Sequence, residues 1–237
     1  IAGILRFDGI DIDRSLIQRM NDLASHRGPD GDGVFLAPGI ALGHRRLAIL
    51  DLNPRGRQPM AWAAGRYQIV FNGEVYNYLE IRRELEALGL QFATGTDTEV
   101  ILAAYATWGE ACLDRFNGMW AFAILDTQDR SVFLARDRFG VKPLYYTEFG
   151  GRFAFASEIK QLLPLLPAIR ANQAMVLEWM LTSFEDHREE TLFEGVRSMP
   201  GSHCMRINLR TGTRTMRRWY VLRRDPAIAA WTETQAI

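Results

Sequence analysis

Met119-Trp120-Ala121-Phe122-Ala123-Ile124-Leu125-Asp126-Thr127-Gln128-Asp129-Arg130-Ser131-Val132-Phe133-Leu134-Ala135 decides the fold class. The first apolar run reads as a buried strand. Val132–Ala135 reads as its hairpin partner across the polar turn Asp126-Thr127-Gln128-Asp129. The same pattern recurs outward. Leu144–Tyr146 and Phe153–Ala156 read as a second strand pair around Gly150-Gly151. Two strands are expected near 33–37 and 40–49, and another at Tyr67–Phe71, where Asn72-Gly73 is expected to turn the chain. Ile1–Leu5 reads as an inner strand, and further strands fall near 203–209 and 213–219. Helices are few. Asp13 can cap one with Leu16, Ile17, Met20, Leu23 and Ala24 on its apolar face. Another, near 77–88, stops at Gly89. Thr96-Asp97-Thr98-Glu99 fits a capping box opening a helix that ends at Gly109. Others are read from Ser157 and near 171–182. Regular strand–helix alternation is missing, so the pattern predicts an α+β fold with antiparallel sheets rather than a doubly wound parallel one.

Composition narrows the function. Lys+Arg and Asp+Glu both number 28 in 237 residues, a formal net charge of zero. Such a chain carries no charge excess for a phosphate backbone or an anionic membrane, so neither nucleic acid nor membrane is an expected partner. Hydrophobic residues make up 48% and charged residues 24%, an ordinary globular balance. No apolar run reaches the roughly 20 residues of a membrane helix, and no signal peptide is visible, which makes the cytoplasm the expected location. Cys112 and Cys204 do not form a disulfide framework, and the four histidines do not cluster with them, so no metal site is expected. The chain opens at Ile1 and closes on Trp231–Ile237, which reads as the start of a helix. Both ends suggest a piece of a longer protein.

Several short stretches could carry chemistry. A tetrahedral acyl-transfer intermediate needs donors aimed at its oxyanion. The Asn72 carboxamide and the Gly73 backbone N–H could form that pair, although Asn-Gly after a strand is also a common turn. In His44-Arg45-Arg46-Leu47-Ala48-Ile49-Leu50, strand alternation puts Arg46 on the face opposite Arg45. A planar guanidinium there suits the carboxylate of an amino acid, or else an internal ion pair. Asp97, in the first turn of its helix, could hold an ammonium group or simply favour the helix start. His26-Arg27-Gly28-Pro29-Asp30 is a turn that could line a pocket, and the charges of Ala135–Pro143 are assigned to internal pairing. Neither a P-loop nor a Gly-x-Ser-x-Gly elbow occurs.

Taken in order, these blocks resemble the class II glutamine amidotransferases, most closely the asparagine synthetase B-type group. The carrying residues are Ile1–Leu5, His26–Gly31, His44–Asp51, Gln58–Met60, Phe71–Tyr78, Thr96–Ile101, Asn117–Ala123, Ala135–Tyr146 and Phe155–Lys160. The resemblance implies an N-terminal-nucleophile fold, a four-layer αββα sandwich of two antiparallel sheets. It implies an amidotransferase domain over 1–165, followed over 166–237 by a linker and the incomplete start of a synthetase domain. Within 166–220 the clearest stretch is Thr191–His203. By the resemblance, glutamine is hydrolysed to glutamate and ammonia for ATP-dependent amide formation, with L-glutamine and the protein's own C-terminal synthetase domain as partners. Asn72 and Gly73 would form the oxyanion hole, Arg46 would hold the glutamine α-carboxylate, and Glu74 and Asp97 its α-ammonium. A short strand over Arg46, Leu47, Ala48, Ile49 and Leu50 would line the same pocket. The pyrophosphatase loop Ser-Gly-Gly-x-Asp-Ser does not occur, so this chain needs no cofactor of its own. ATP and Mg²⁺ are expected only for the synthetase domain. The amide acceptor, with aspartate the default, and the oligomeric state, a homodimer included, stay open.

Members of the family begin Cys-Gly and continue Ile-Ala-Gly-Ile, the cysteine being the nucleophile and its α-amine handling the proton. Here those two residues would lie just before Ile1. Neither Cys112 nor Cys204 has the free α-amine needed to replace it. Two explanations are open. The pair precedes this stretch in the natural protein, or the domain is a non-catalytic platform like that of the β-lactam-forming and lasso-peptide-forming cyclases. The presence of Arg46, Asn72, Gly73, Glu74 and Asp97 together favours the first.

Overall fold

A computed structural model describes residues 1–49, 51, 53–185 and 187–223. In chain order the elements are β1 (Ala2–Arg6), α1 (Arg14–Leu23), β2 (Gly31–Ala37), β3 (Ile40–Arg46), β4 (Met60–Trp62), β5 (Tyr67–Val75), α2 (Tyr78–Ala87), α3 (Asp97–Trp108), β6 (Gly118–Asp126), β7 (Ser131–Arg136), β8 (Tyr145–Phe149), β9 (Arg152–Ala156), α4 (Ile159–Leu162), α5 (Gln173–Thr182), β10 (Val196–Ser198), β11 (His203–Asn208) and β12 (Arg214–Arg218). The stretch read as a terminal helix, Trp231–Ile237, lies outside the described residues. Among the described residues no helix is long and apolar enough to cross a membrane.

The strands make two six-stranded sheets, ordered β10-β8-β9-β1-β3-β2 and β12-β11-β7-β6-β5-β4. The β6–β7 hairpin stands where its apolar runs predict, with Ala123 opposite Leu134. Period-two alternation then sorts the side chains into layers. Val70, Ala121, Ala123, Leu125 and Leu134 meet Leu5, Leu42, Phe153 and Phe155 of the other sheet and form the core between the sheets. Phe71, Trp120, Phe122 and Phe133 point the other way and pack under α2 and α3. On the opposite outer face, Ala2, Ile4, Ala41 and Ala154 receive Ile17 and Met20 of α1 and Leu162 of α4. The result is the expected αββα sandwich. Beyond the division expected near residue 165, β10 extends the first sheet from β8, and β11 extends the second from β7.

Helix starts follow their capping residues. The Asp13 carboxylate accepts from Ser15 N at 2.8 Å, and Thr96 Oγ1 accepts from Glu99 N at 3.3 Å. The box at Thr96 is only half made. Glu99 turns instead to Ala93 N, Thr94 N and Thr94 Oγ1, tying down the loop before α3.

Two strand boundaries differ from the sequence reading, and both matter for the site. β3 ends at Arg46, so 47–49 is loop and, among the described residues, the strand expected from Arg46 onward does not form. The Asp30 carboxylate takes the Ala48 N–H at 2.8 Å and so draws that segment off the sheet. Asn72-Gly73 is not a turn: β5 runs on to Val75, pairing Asn72 with Ala121 and Gly73 with Trp120. The short strands β4 and β10 were not read from the sequence at all.

Candidate active site

Strand alternation brings the site together. Leu42 points into the inter-sheet core, so His44 and Arg46, two and four residues on, share its face of β3. Val70 does the same on β5, which puts Asn72 and Glu74 on the inner face of that strand. Where these faces turn from apolar to polar the sandwich opens into a cavity of about 410 Å³. Its wall includes Ile1, His44, Arg46, Leu47, Ala48, Ile49, Asn72, Gly73, Glu74 and Asp97. All the predicted site residues that the structure describes are therefore in one place. Leu50 lies outside the described residues.

The outer edge of β5 makes the opening. β4 pairs only with Tyr67–Ile69. Beyond it, side chains take the place of a strand. Gln58 Oε1 accepts from Phe71 N at 2.6 Å, and His44 Nε2 meets Phe71 O at 3.1 Å. Four residues on, Asp97 Oδ2 accepts from Val75 N at 3.1 Å. Backbone groups of alternate residues face the same edge of a strand, so the Gly73 N–H faces this edge too. The Nδ2 of Asn72 is buried and has no hydrogen-bond partner among the described residues. The two donors expected of an oxyanion hole thus sit on consecutive residues of the cavity wall.

Gly73 cannot carry a side chain. Its φ is +149°, and an added Cβ would lie 2.2 Å from Met119 O and 2.6 Å from Trp120 Cα. A Gly73→Ala protein is accordingly expected to lose about 3 kcal/mol of stability, from backbone strain and overpacking against β6. Urea unfolding checks this, and a midpoint equal to that of the unsubstituted chain would show that β6 gives way without cost.

The charged groups have distinct supports. Arg46 donates to the backbone carbonyls of Asn53, at 3.1 Å, and Asp51. These are neutral acceptors, so its guanidinium charge has no carboxylate on it from this loop. Asp97 is 5% exposed, and burial pushes its carboxyl up to about 6 against the pull of the Val75 and Thr98 N–H groups. Glu74, on the same cavity wall, adds to that rise. Two carboxylates and a guanidinium lining one cavity suit a zwitterionic amino acid.

Other wall residues were not among those predicted. Gln58 passes its amide N–H to Thr98 Oγ1 at 3.3 Å, linking the β5 edge to the start of α3. Arg27 and His26 reach the wall while paired with Glu158, each at 3.0 Å. Lys142 reaches it from the loop after β7. All lie inside the motif blocks quoted from the sequence. The turn holding His26 and Arg27 reads there as one that could line a pocket, whereas nothing local marks Gln58, Thr98 or Lys142. The two cysteines are buried and free, away from the cavity wall. Burial pushes both thiols up, Cys204 to about 11, which is the opposite of an activated nucleophile.

Comparison with known proteins agrees with this geometry. The model of a glutamine amidotransferase domain family matches residues 1–220. Asparagine synthetase (glutamine-hydrolyzing) 1 of Bacillus subtilis is 43% identical over 169 residues, 71% of this chain and 27% of that protein. Asparagine synthetase (glutamine-hydrolyzing) 3 of the same organism is 38% identical over 222 residues, 90% of this chain and 36% of that protein. This chain therefore spans about a third of the length of such relatives. Among solved structures, a glutamine phosphoribosylpyrophosphate amidotransferase from B. subtilis, complexed with ADP and GMP, aligns with a TM-score of 0.68 at 18% identity. That alignment takes in 93% of this chain and 49% of the other, and shows a shared fold. With nearly its whole length inside the family match and the family's motif blocks gathered on one cavity, the chain belongs to the glutamine amidotransferase domain family.

Proposed function

We propose that this chain is the glutamine-hydrolysing portion of an asparagine-synthetase-type enzyme. The observation that carries the reading is one cavity holding a guanidinium, two carboxylates and a consecutive pair of oxyanion donors. In this reading Arg46 binds the α-carboxylate of L-glutamine, and Glu74 and Asp97 bind its α-ammonium. The side-chain amide is thereby directed to Asn72 and Gly73, with the loop 47–49 along its flank. The nucleophile is a cysteine joined ahead of Ile1 through one glycine. Ile1 is one of the residues lining the cavity, its nitrogen donating to Ser157 Oγ at 2.9 Å, so residues attached ahead of it would start beside the wall that holds Asn72.

The thiolate adds to the amide carbon, and the charge on oxygen is met by Asn72 Nδ2 and the Gly73 N–H. The cysteine's own α-amine takes the thiol proton and passes it to the leaving nitrogen, so collapse expels ammonia; water then hydrolyses the thioester to glutamate, and glutamine and water become glutamate and ammonia. The ammonia serves amide formation from a carboxylate in a synthetase portion beyond this chain, where ATP and Mg²⁺ would be used.

Asp97 makes this testable by pH. A cation is held by the ionised carboxylate, so glutamine affinity is expected to fall as pH drops through about 6. The stability sign runs the other way. Because its folded pKa lies above the unfolded value of 3.8, ionised Asp97 disfavours the folded state above about pH 6, and that penalty disappears below about pH 4. An Asp97→Asn chain is therefore expected to be at least as stable as the original at pH 8, by at most about 3 kcal/mol, yet to bind glutamine poorly. Calorimetric titration and thermal unfolding across pH 4–8 measure both. For the reaction itself, the natural full-length protein is sequenced from its N-terminus and assayed for glutamate release. A leading cysteine with release supports the proposal. No release, with another residue in that place, would transfer the domain to the non-catalytic platforms of peptide and β-lactam cyclases.

A further inference from the structure

His44 carries the second buried polar atom on this wall that has no partner. The residue is 6% exposed, and its Nδ1 finds no hydrogen bond among the described residues. The orientation of the ring is set by the neighbouring strand β5. Its Nε2 faces the Phe71 carbonyl at 3.1 Å, and a carbonyl oxygen only accepts, so Nε2 carries the proton. Nδ1 is then a bare lone pair. Burial, helped by the positive charge of Arg46, holds the imidazole down to about 3, so Nδ1 does not gain a proton and become a donor near neutral pH. Gln58 holds the N–H of Phe71 while His44 holds its C=O, which fixes the strand immediately before Asn72.

Two lining residues thus hold, among the described residues, a donor without a partner, Asn72 Nδ2, and an acceptor without one, His44 Nδ1. A primary carboxamide is their complement, with an oxygen that accepts and an NH2 that donates. A carboxylate is not, because its second oxygen would set a lone pair against that of Nδ1. We propose that His44 is a specificity-determining residue of this cavity, its Nδ1 accepting from the amide NH2 of the substrate and so separating glutamine from its own product, glutamate. The inference rests on reading the cavity as the glutamine site. It also gives the product a reason to leave: once ammonia is replaced by a carboxylate oxygen, the contact at Nδ1 turns from attractive to repulsive. A site built to hydrogen-bond a substrate group rejects the analogue lacking it much more strongly than an apolar pocket does.

Two substitutions separate this role from simple support of Phe71. In His44→Gln the amide nitrogen can still donate to the Phe71 carbonyl while the Nδ1 lone pair is lost. In His44→Asn the amide oxygen can take the Nδ1 place while the bond to Phe71 is lost. L-glutamine and L-glutamate are titrated calorimetrically into this chain and both variants near neutral pH. The unsubstituted chain is expected to prefer glutamine by at least about tenfold. His44→Gln should narrow that ratio to within about threefold, and His44→Asn should keep most of it. An unchanged ratio in folded His44→Gln would overturn the proposal, as would an equal weakening of both ligands, which would leave His44 only as a support for β5. If His44→Gln does not fold, loss of the preference in His44→Asn overturns it instead. If the unsubstituted chain binds neither ligand, the glutamine-site reading itself fails and takes this inference with it, an outcome distinct from the others.

Discussion

An Asn72→Ala variant of the protein carrying its natural N-terminus is expected to release glutamate from glutamine about 10²–10³-fold more slowly, with KM little changed. The Nδ2 of this residue has no partner among the described residues. A donor whose bond to the amide oxygen strengthens as negative charge develops there stabilises the transition state more than the bound substrate, so its loss falls chiefly on kcat. The backbone is not at risk, since Asn72 stays paired with Ala121 in β5 and alanine is compatible with a strand at that place. The measurement is steady-state glutamate release, with kcat and KM resolved separately. A loss confined to KM would mean that the carboxamide binds the ground state. An unchanged kcat would remove Asn72 from the oxyanion hole and leave the Gly73 N–H without its proposed companion.

Replacing Asp137 by alanine is expected to lower stability by about 4 kcal/mol, roughly 10 °C in the thermal midpoint of a chain of this size. Asp137 is 1% exposed. Its Oδ1 accepts from Phe139 N and Val141 N, both at 3.0 Å, and its Oδ2 from Trp120 N at 3.1 Å and Lys142 N at 2.9 Å. One carboxylate thus satisfies four backbone donors and joins β6 to the loop that follows β7. Alanine would strand them in a place without enough water to replace it, and each orphaned donor carries its own desolvation cost. Asp137→Asn keeps an acceptor at one of the two oxygen positions only, so about half the loss is expected. Differential scanning calorimetry of the three proteins tests the series. Equal midpoints for all three would show that the loop rearranges freely. Because Lys142 closes one side of the cavity from this loop, the alanine variant should also bind glutamine less tightly than its residual folded fraction would suggest.

The sequence and the structure agree where the governing contacts are local. The β6–β7 hairpin, the Asp13 cap of α1, the Thr96 cap of α3 and the glycine stops at Gly89 and Gly109 depend on residues a few positions apart, and each stands where the pattern predicts. Disagreement begins where the deciding partner is distant. Asn72-Gly73 carries the composition of a turn, but β6 lies alongside and completes its hydrogen bonds, so the strand continues through it. The segment 47–49 is apolar enough for a strand, but Asp30 claims the Ala48 N–H and leaves Leu47 and Ile49 at the surface of the cavity mouth, 55% and 67% exposed.

By itself the sequence determined the fold class and the position of most strands and helices, and it singled out Arg46, Asn72, Gly73, Glu74 and Asp97 as candidate site residues. Tertiary structure decided how they are placed. The partner of the His44 ring lies 27 residues away and that of the Asp97 carboxylate 22 residues away. No local pattern reports the tautomer the first imposes, or the burial that raises the pKa of the second. Hydrophobic periodicity places a side chain on a face of a strand. Which backbone edge stays open, and which buried atom is left without a partner, depends on where the neighbouring strand stops, and that is settled only when the two sheets pack.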